Sequence, residues 1–224
     1  MPVLGVDGWR GRWAGALLEG RSVRLLVLDD VPAVLAVPGV DVVAIDMPIG
    51  LSDDGVRACD VAARDALRGR GAAGPVFPAP VRGVLEATGY ADARQRSVQA
   101  TGGRSLSAQS FALVRSIRAL DDALGDPPDT RVHEVFPELG FRELDHRVRD
   151  PKSSARGPAQ RIGALEPVMG VLDALSDAPA GLPPVDALDA CVAAWSARRI
   201  AEGTAESVGS NARDARGRPM QIWW

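Results

Sequence analysis

Histidine, cysteine and lysine are all scarce in this chain, and each scarcity removes a chemistry. Two histidines, His133 and His146, are too few for a His-rich zinc site. Two cysteines, Cys59 and Cys191, stand far apart inside helical patterns, so neither a disulfide framework nor a thiolate metal spacing is present. Both read as packing residues. Lys152 is the only lysine, against 25 arginines. Aromatic residues make up only 4% of the chain. No apolar run approaches the ~20 residues that a membrane span needs, so no membrane role is expected. The N-terminus carries neither a basic leader nor a small-residue cleavage site, which predicts a cytoplasmic protein without a secretory signal.

Carboxylates are plentiful. The 224 residues include 29 Asp and Glu, and 46% are hydrophobic, enough to bury a real core. A single domain over residues 1–224 is expected. The net charge of −3 suits a duplex binder poorly, but it is unevenly spread. Between Arg57 and Arg118 ten arginines face Asp60, Asp65, Glu86 and Asp92, a local balance of +6 that leaves −9 elsewhere. One region is suited to phosphates and another to cations.

The chain opens with three short strand patterns, Val3 to Trp9, Arg12 to Glu19 and Ser22 to Asp29, joined by links short enough for hairpins. A short helical segment follows at Val31 to Val37. Asp41 to Asp46 (DVVAID) is then a continuous apolar run ending in an acid, as in a strand buried on both faces. From about 53 to 125 the pattern is helical, interrupted by Gly/Pro-rich Gly69 to Pro80 and by Thr101-Gly102-Gly103. Arg131 to Phe136 alternates as a further strand, which Pro137 ends. Pro158 to Leu175 reads as an amphipathic helix broken at Pro167, Val185 to Ile200 as a last helix, and Met220 to Trp224 as a terminal strand or docking segment. The order predicts an α/β fold with a ribonuclease H-like mixed sheet: a three-strand antiparallel meander, parallel strands, and a helical insertion after the fourth strand. A simple doubly wound sheet would not begin with two hairpins.

On this topology five acids can meet. Asp7 lies within the first strand and Asp46 ends the fourth, so neighbouring strands would bring both to one edge. Glu134 lies on the next strand. Asp186 and Asp189 start the last helix at i, i+3 spacing, on one face. A single strand-end Asp is commonly a turn or cap residue, so the case rests on the set. Clustered carboxylates need a cation, and either Asp186 or Asp189 can be the helix's contribution.

The runs GVDGWRGRWAG from Gly5, IDMPIGL from Ile45, RACDVAAR from Arg57, VFPAPVR from Val76, LSAQSF from Leu106, HEVFPEL from His133 and DALDACVAAWSARR from Asp186 resemble the DUF429 family of predicted ribonuclease H-like nucleases. The Asp186-x-x-Asp189 pattern also looks like the final-helix acids of Holliday-junction resolvases of that fold. The resemblance implies a carboxylate centre of Asp7, Asp46, Glu134, Asp186 and Asp189 that binds Mg²⁺ or Mn²⁺. The expected activity is metal-dependent hydrolysis of phosphodiesters, with DNA or RNA as substrate. Two hard cations ~3.5–4 Å apart would be held by oxygen ligands. Lys152, Arg57, Arg64 and Arg82 are candidates to contact phosphates, since guanidinium groups match them bidentately.

Other readings compete. Actin-like ATP-handling proteins share the core order, and GRGAAG (Gly69 to Gly74) weakly imitates a phosphate loop. A non-catalytic module would keep the acidic cleft for a regulatory ion or a partner. Cys59 as nucleophile lacks a paired base. His133 beside Glu134 is a candidate general base or a hydrogen-bonded strand residue. Trp9 and Trp13 could stack on bases or simply pack, and Trp223-Trp224 suits an anchoring tail or a homodimer contact.

Overall fold

The computed structural model describes residues 1–70, 78–209 and 212–224. VFPAPVR in part, and most of GRGAAG, lie outside the described residues. The hairpins form as the alternation predicts: β1 (Val3–Trp9), β2 (Arg12–Glu19) and β3 (Ser22–Leu28) are an antiparallel meander. After the short helix α1 (Val31–Leu35), capped by Asp30, β4 (Val42–Asp46) lies parallel to β1. β5 (Val132–Glu134) lies parallel to β4, giving a five-stranded mixed sheet of order β3-β2-β1-β4-β5.

Between β4 and β5 run α2 (Ala58–Gly69), a 3-10 turn (Arg82–Glu86), α3 (Tyr90–Thr101) and α4 (Ala108–Ala123). Beyond β5 come α5 (Pro137–Leu144), α6 (Arg156–Leu165), α7 (Val171–Ser176) and α8 (Pro184–Glu202). β5 stops at Glu134, short of the expected Phe136, and Pro137 is the first residue of the next helix, a place where its missing N–H costs nothing. The break at Pro167 separates α6 from α7. The tail contributes β7 (Ile222–Trp223), which pairs with β6 (Ser207–Val208) and bridges to Val135. Met220 to Trp224 is thus a strand at the β5 edge. No helix among the described residues is long and apolar enough to cross a membrane.

Each strand sends alternate residues to opposite faces. Leu4, Val6, Val43, Ile45 and Val132 face the core shared with α1, α4 and the 3-10 turn. Val3, Ala14, Ala16 and Ala44 face α8. That second face is built of small residues, and α8 answers with Ala187, Ala190, Ala194 and Ala197, all essentially inaccessible. Two smooth surfaces can approach closely. At Gly5 the approach is closest: a Cβ there would stand 2.0 Å from the Ala194 nitrogen and 2.2 Å from the Ala190 oxygen. Only glycine lets α8 lie on β1 at this depth, and that depth brings α8 beside the end of β1.

Candidate functional site

Asp7 and Asp46 are direct partners in the parallel β1–β4 register, so their side chains leave the sheet on the same face, the one covered by α8. Gly5 lies two residues before Asp7 on that face. α8 supplies Asp189 from its second turn, 1% exposed and set among apolar neighbours. Asp186, one turn earlier, is half-buried and near enough for its charge to act on Asp7. The helix thus offers Asp189 as the interior acid and Asp186 as an outer one.

The electrostatics are those of uncompensated charge. Burial raises the Asp7 carboxyl well above the ordinary range, and Asp46, Asp189 and Asp186 raise it further. Asp46 is pushed up to about 8 by burial and then by Asp189, against the pull of Lys152. Asp189 is raised by burial too. One cation serves all three: Lys152 Nζ donates to Asp189 Oδ2 at 2.8 Å. Its place is fixed by α6, where Gly157 leaves room for the backbone of Pro151 and Lys152; a Cβ there would meet the Pro151 oxygen at 2.1 Å. Asp189 Oδ1 is buried with no hydrogen-bond partner among the described residues. A carboxylate oxygen buried without a donor is costly.

Glu134 approaches the same cleft from the other face of the sheet. Its register partner is Ile45 rather than Asp46, and a shift of one residue sends a strand side chain to the other face. Val135 takes the place beside Asp46 instead. On its own face Glu134 accepts from Arg57 with both oxygens, at 2.8 and 2.7 Å, and from the Ile49 amide at 2.7 Å. Burial raises its carboxyl despite Arg57. Its charge still reaches Asp46, while three donors already occupy its oxygens.

The phosphate-contact role expected of Arg57 is likewise corrected by position. Arg57 is 3% exposed and donates to Glu134, Asp60 and the carbonyls of Ile49 and Gly50. Arg82 is tied to Asp121 and Asp214. Both arginines staple the insertion to the sheet and the tail. Arg64 is half-buried on α2. Lys152, half-exposed, points at the acids.

Glu138 is the residue that spacing understated. It sits in the first turn of α5, pairs with buried Arg161 at 2.7 Å, and its charge acts on both Asp46 and Asp189. The signal was HEVFPEL, where Pro137 starts a helix and places an acid one step inside it. A cleft of about 230 Å³ opens beside Asp7 and Asp46, with Glu134, Arg57, Asp60 and Phe136 in its walls. His133 opens on a different cavity with Trp223, whose ring it meets edge-on at 5.8 Å; burial lowers its pKa. The Cys59 thiol is pushed up to about 12 by burial, so it is an inert packing group.

Among the described residues no three His, Cys, Asp or Glu side chains converge tightly enough to cage an ion. Lys152 holds one oxygen of Asp189, and Glu134 is engaged by Arg57 and the Ile49 amide. The donor chemistry nevertheless suits a hard divalent cation: carboxylate oxygens only, in excess charge, one of them without a partner.

Sheet and site define an α/β protein with a buried carboxylate centre at the joint of β1, β4 and α8. The model of DUF429, a family described as proteins of unknown function, matches residues 5–214, and the chain belongs to that family. No curated protein and no solved structure matches it.

Proposed function

We propose that this protein is a ribonuclease H-like, divalent-cation-dependent phosphodiesterase acting on nucleic acid, organised as one domain with a helical insertion. The observation that carries the reading is the in-register pair Asp7 and Asp46, joined from α8 by Asp189 with its unpartnered oxygen. The sheet order β3-β2-β1-β4-β5, with the acids on the two central parallel strands, supports the fold assignment.

Asp7, Asp46 and Asp189, with Asp186 outside them, would hold Mg²⁺ or Mn²⁺. The ion would supply positive charge at the scissile phosphate and a more acidic water. The residues do the rest. Burial under α8 keeps the carboxylates poorly hydrated, so their affinity for a cation is high. Asp46, raised to about 8, can hold a proton near neutrality when no cation is present. Glu138, Asp186 and the Arg161 partner of Glu138 set the field at the rim. Lys152 neutralises Asp189 and, once displaced, is free to meet a phosphate oxygen.

The test incubates the purified protein with labelled single-stranded, duplex, hybrid and four-way-junction substrates in Mg²⁺, Mn²⁺ or EDTA. Cleavage is expected with metal, not in EDTA, and at least about 100-fold slower in Asp7→Asn and Asp46→Asn. Cleavage that survives both substitutions overturns the assignment.

A further inference from the structure

The buried arginines are Arg57, Arg142, Arg161 and Arg218. Arg57 has Glu134 and Asp60, Arg161 has Glu138, and Arg218 has Asp121. Among the described residues Arg142 makes no ion pair with a carboxylate. It lies in the last turn of α5, 8% exposed, and among the described residues neither its Nε nor its Nη1 finds an acceptor. A buried cation without a counter-charge is the reverse of what folding selects.

Arg142 lines a cavity of about 480 Å³ between the end of α5, the Asp145–Arg147 loop and the α6–α7 link. The groups that might have compensated it there are engaged. Glu143 accepts from Arg70 at 2.9 Å and Asp145 from Arg147 at 2.8 Å. The carbonyls of Glu166 and Pro167 accept from Arg21, and that of Val168 from Arg198. Burial pushes the Arg142 guanidinium below its ordinary value; Glu138 opposes this, while Arg149 and Arg161 add to it. Arg142 thus brings to the cavity wall a guanidinium with unmet donors among the described residues.

The cavity stands apart from the carboxylate centre: Pro167 and Val168 in its wall accept from Arg21, at the β2–β3 turn, and from Arg198, near the end of α8, whereas Asp7 lies at the other end of the meander and Asp189 near the start of α8. Exposed Arg147 lines the same cavity. Guanidinium groups with unmet donors match the paired oxygens of a phosphate.

We propose that Arg142 is an anion-binding residue that receives a phosphoryl group in this cavity. The proposal stands apart from the reading of the carboxylate centre given above, and it puts a phosphate contact on the α5–α6 segment.

The experiment titrates inorganic phosphate into the ¹⁵N-labelled protein in EDTA, following the arginine Nε–Hε resonances, with acetate as a parallel titrant. A saturable shift of the Arg142 signal is expected with phosphate. Affinity should fall at least about tenfold in Arg142→Lys and Arg142→Met and stay unchanged in Asp7→Asn, which disables the centre. An unshifted Arg142 signal, unchanged affinity in Arg142→Lys, or acetate binding as tightly as phosphate overturns the proposal. Should Arg142→Met fail to fold, the wild-type resonance and Arg142→Lys still decide. Phosphate binding through Arg142 without cleavage of any nucleic acid supports the anion site and removes only the reading of the centre.

Discussion

Two groups of buried carboxylates in this protein differ in what surrounds them. Asp121 and Asp214 join α4 to the C-terminal tail and are met by three arginines, Arg82, Arg216 and Arg218. Asp214 also accepts from the amides of Leu51, Arg216 and Arg218. Burial pushes Asp121 up, and the arginines outweigh it, leaving its carboxyl below the ordinary value. Asp7, Asp46 and Asp189 are as deeply placed but share one lysine, and all three are raised. Burial is common to both groups; compensation is not. The first group is finished as folded, whereas the second is short of positive charge, which marks it as a place for a ligand.

The sharpest break of this comparison is Asp121→Ala. It strips the carboxylate from Arg218, which is fully buried, and one of two from Arg82, which keeps Asp214, and from Arg216, which keeps Asp122. Removing one side of a buried ion network leaves charge with no return to water, so a loss of about 3–5 kcal/mol is expected in urea denaturation. A loss below about 1 kcal/mol would mean that the network is not what ties the tail down.

The two groups were not equally legible in the sequence. Asp7 and Asp46 could be placed because a strand's period and its ends are local properties, read from VLGVDGW and VVAID. The hairpins, β4, the insertion and the last helix followed from the same local signals. Glu134 could not be placed, since its face depends on whether β5 aligns it with Ile45 or with Asp46, a choice made by tertiary packing one residue at a time. The +6 of the insertion misled for a related reason. Charge counted along the chain omits partners from elsewhere, and Arg57 finds Glu134 while Arg82 finds Asp214 from the tail. Arg142 was invisible because a missing partner has no sequence signal. α5 went unread because Pro137 can end a strand and open a helix at once.

Asp46→Asn should act in the direction opposite to Asp121→Ala. The Asp46 carboxyl titrates near 8 when folded against an ordinary 3.8. Between those values the native state binds more protons than the unfolded state, so metal-free stability is full below about pH 4, falls as pH rises, and levels off above about pH 8. Asparagine removes the charge and most of that slope. At pH 8 in EDTA the variant should be about 1–3 kcal/mol more stable than the wild type, with no gain at pH 4. Mn²⁺ should stabilise the wild type alone. Denaturation curves at the two pH values decide it: an equal effect at both would show that Asp46 is not an uncompensated charge.

Lys152→Gln probes the weaker side of the same centre. The ammonium is bonded to Asp189 but half open to water, so screening limits its worth to about 1 kcal/mol or less. Two consequences have opposite signs. Without metal, Asp189 loses its one donor and the protein should be slightly less stable at pH 8. With metal, the ion no longer competes with Nζ for the Asp189 oxygen, and Mn²⁺ measured by calorimetry should bind about fivefold tighter. Weaker Mn²⁺ binding in the variant would place Lys152 outside the competition, as a residue that orders Asp189 for the ion rather than standing in for it.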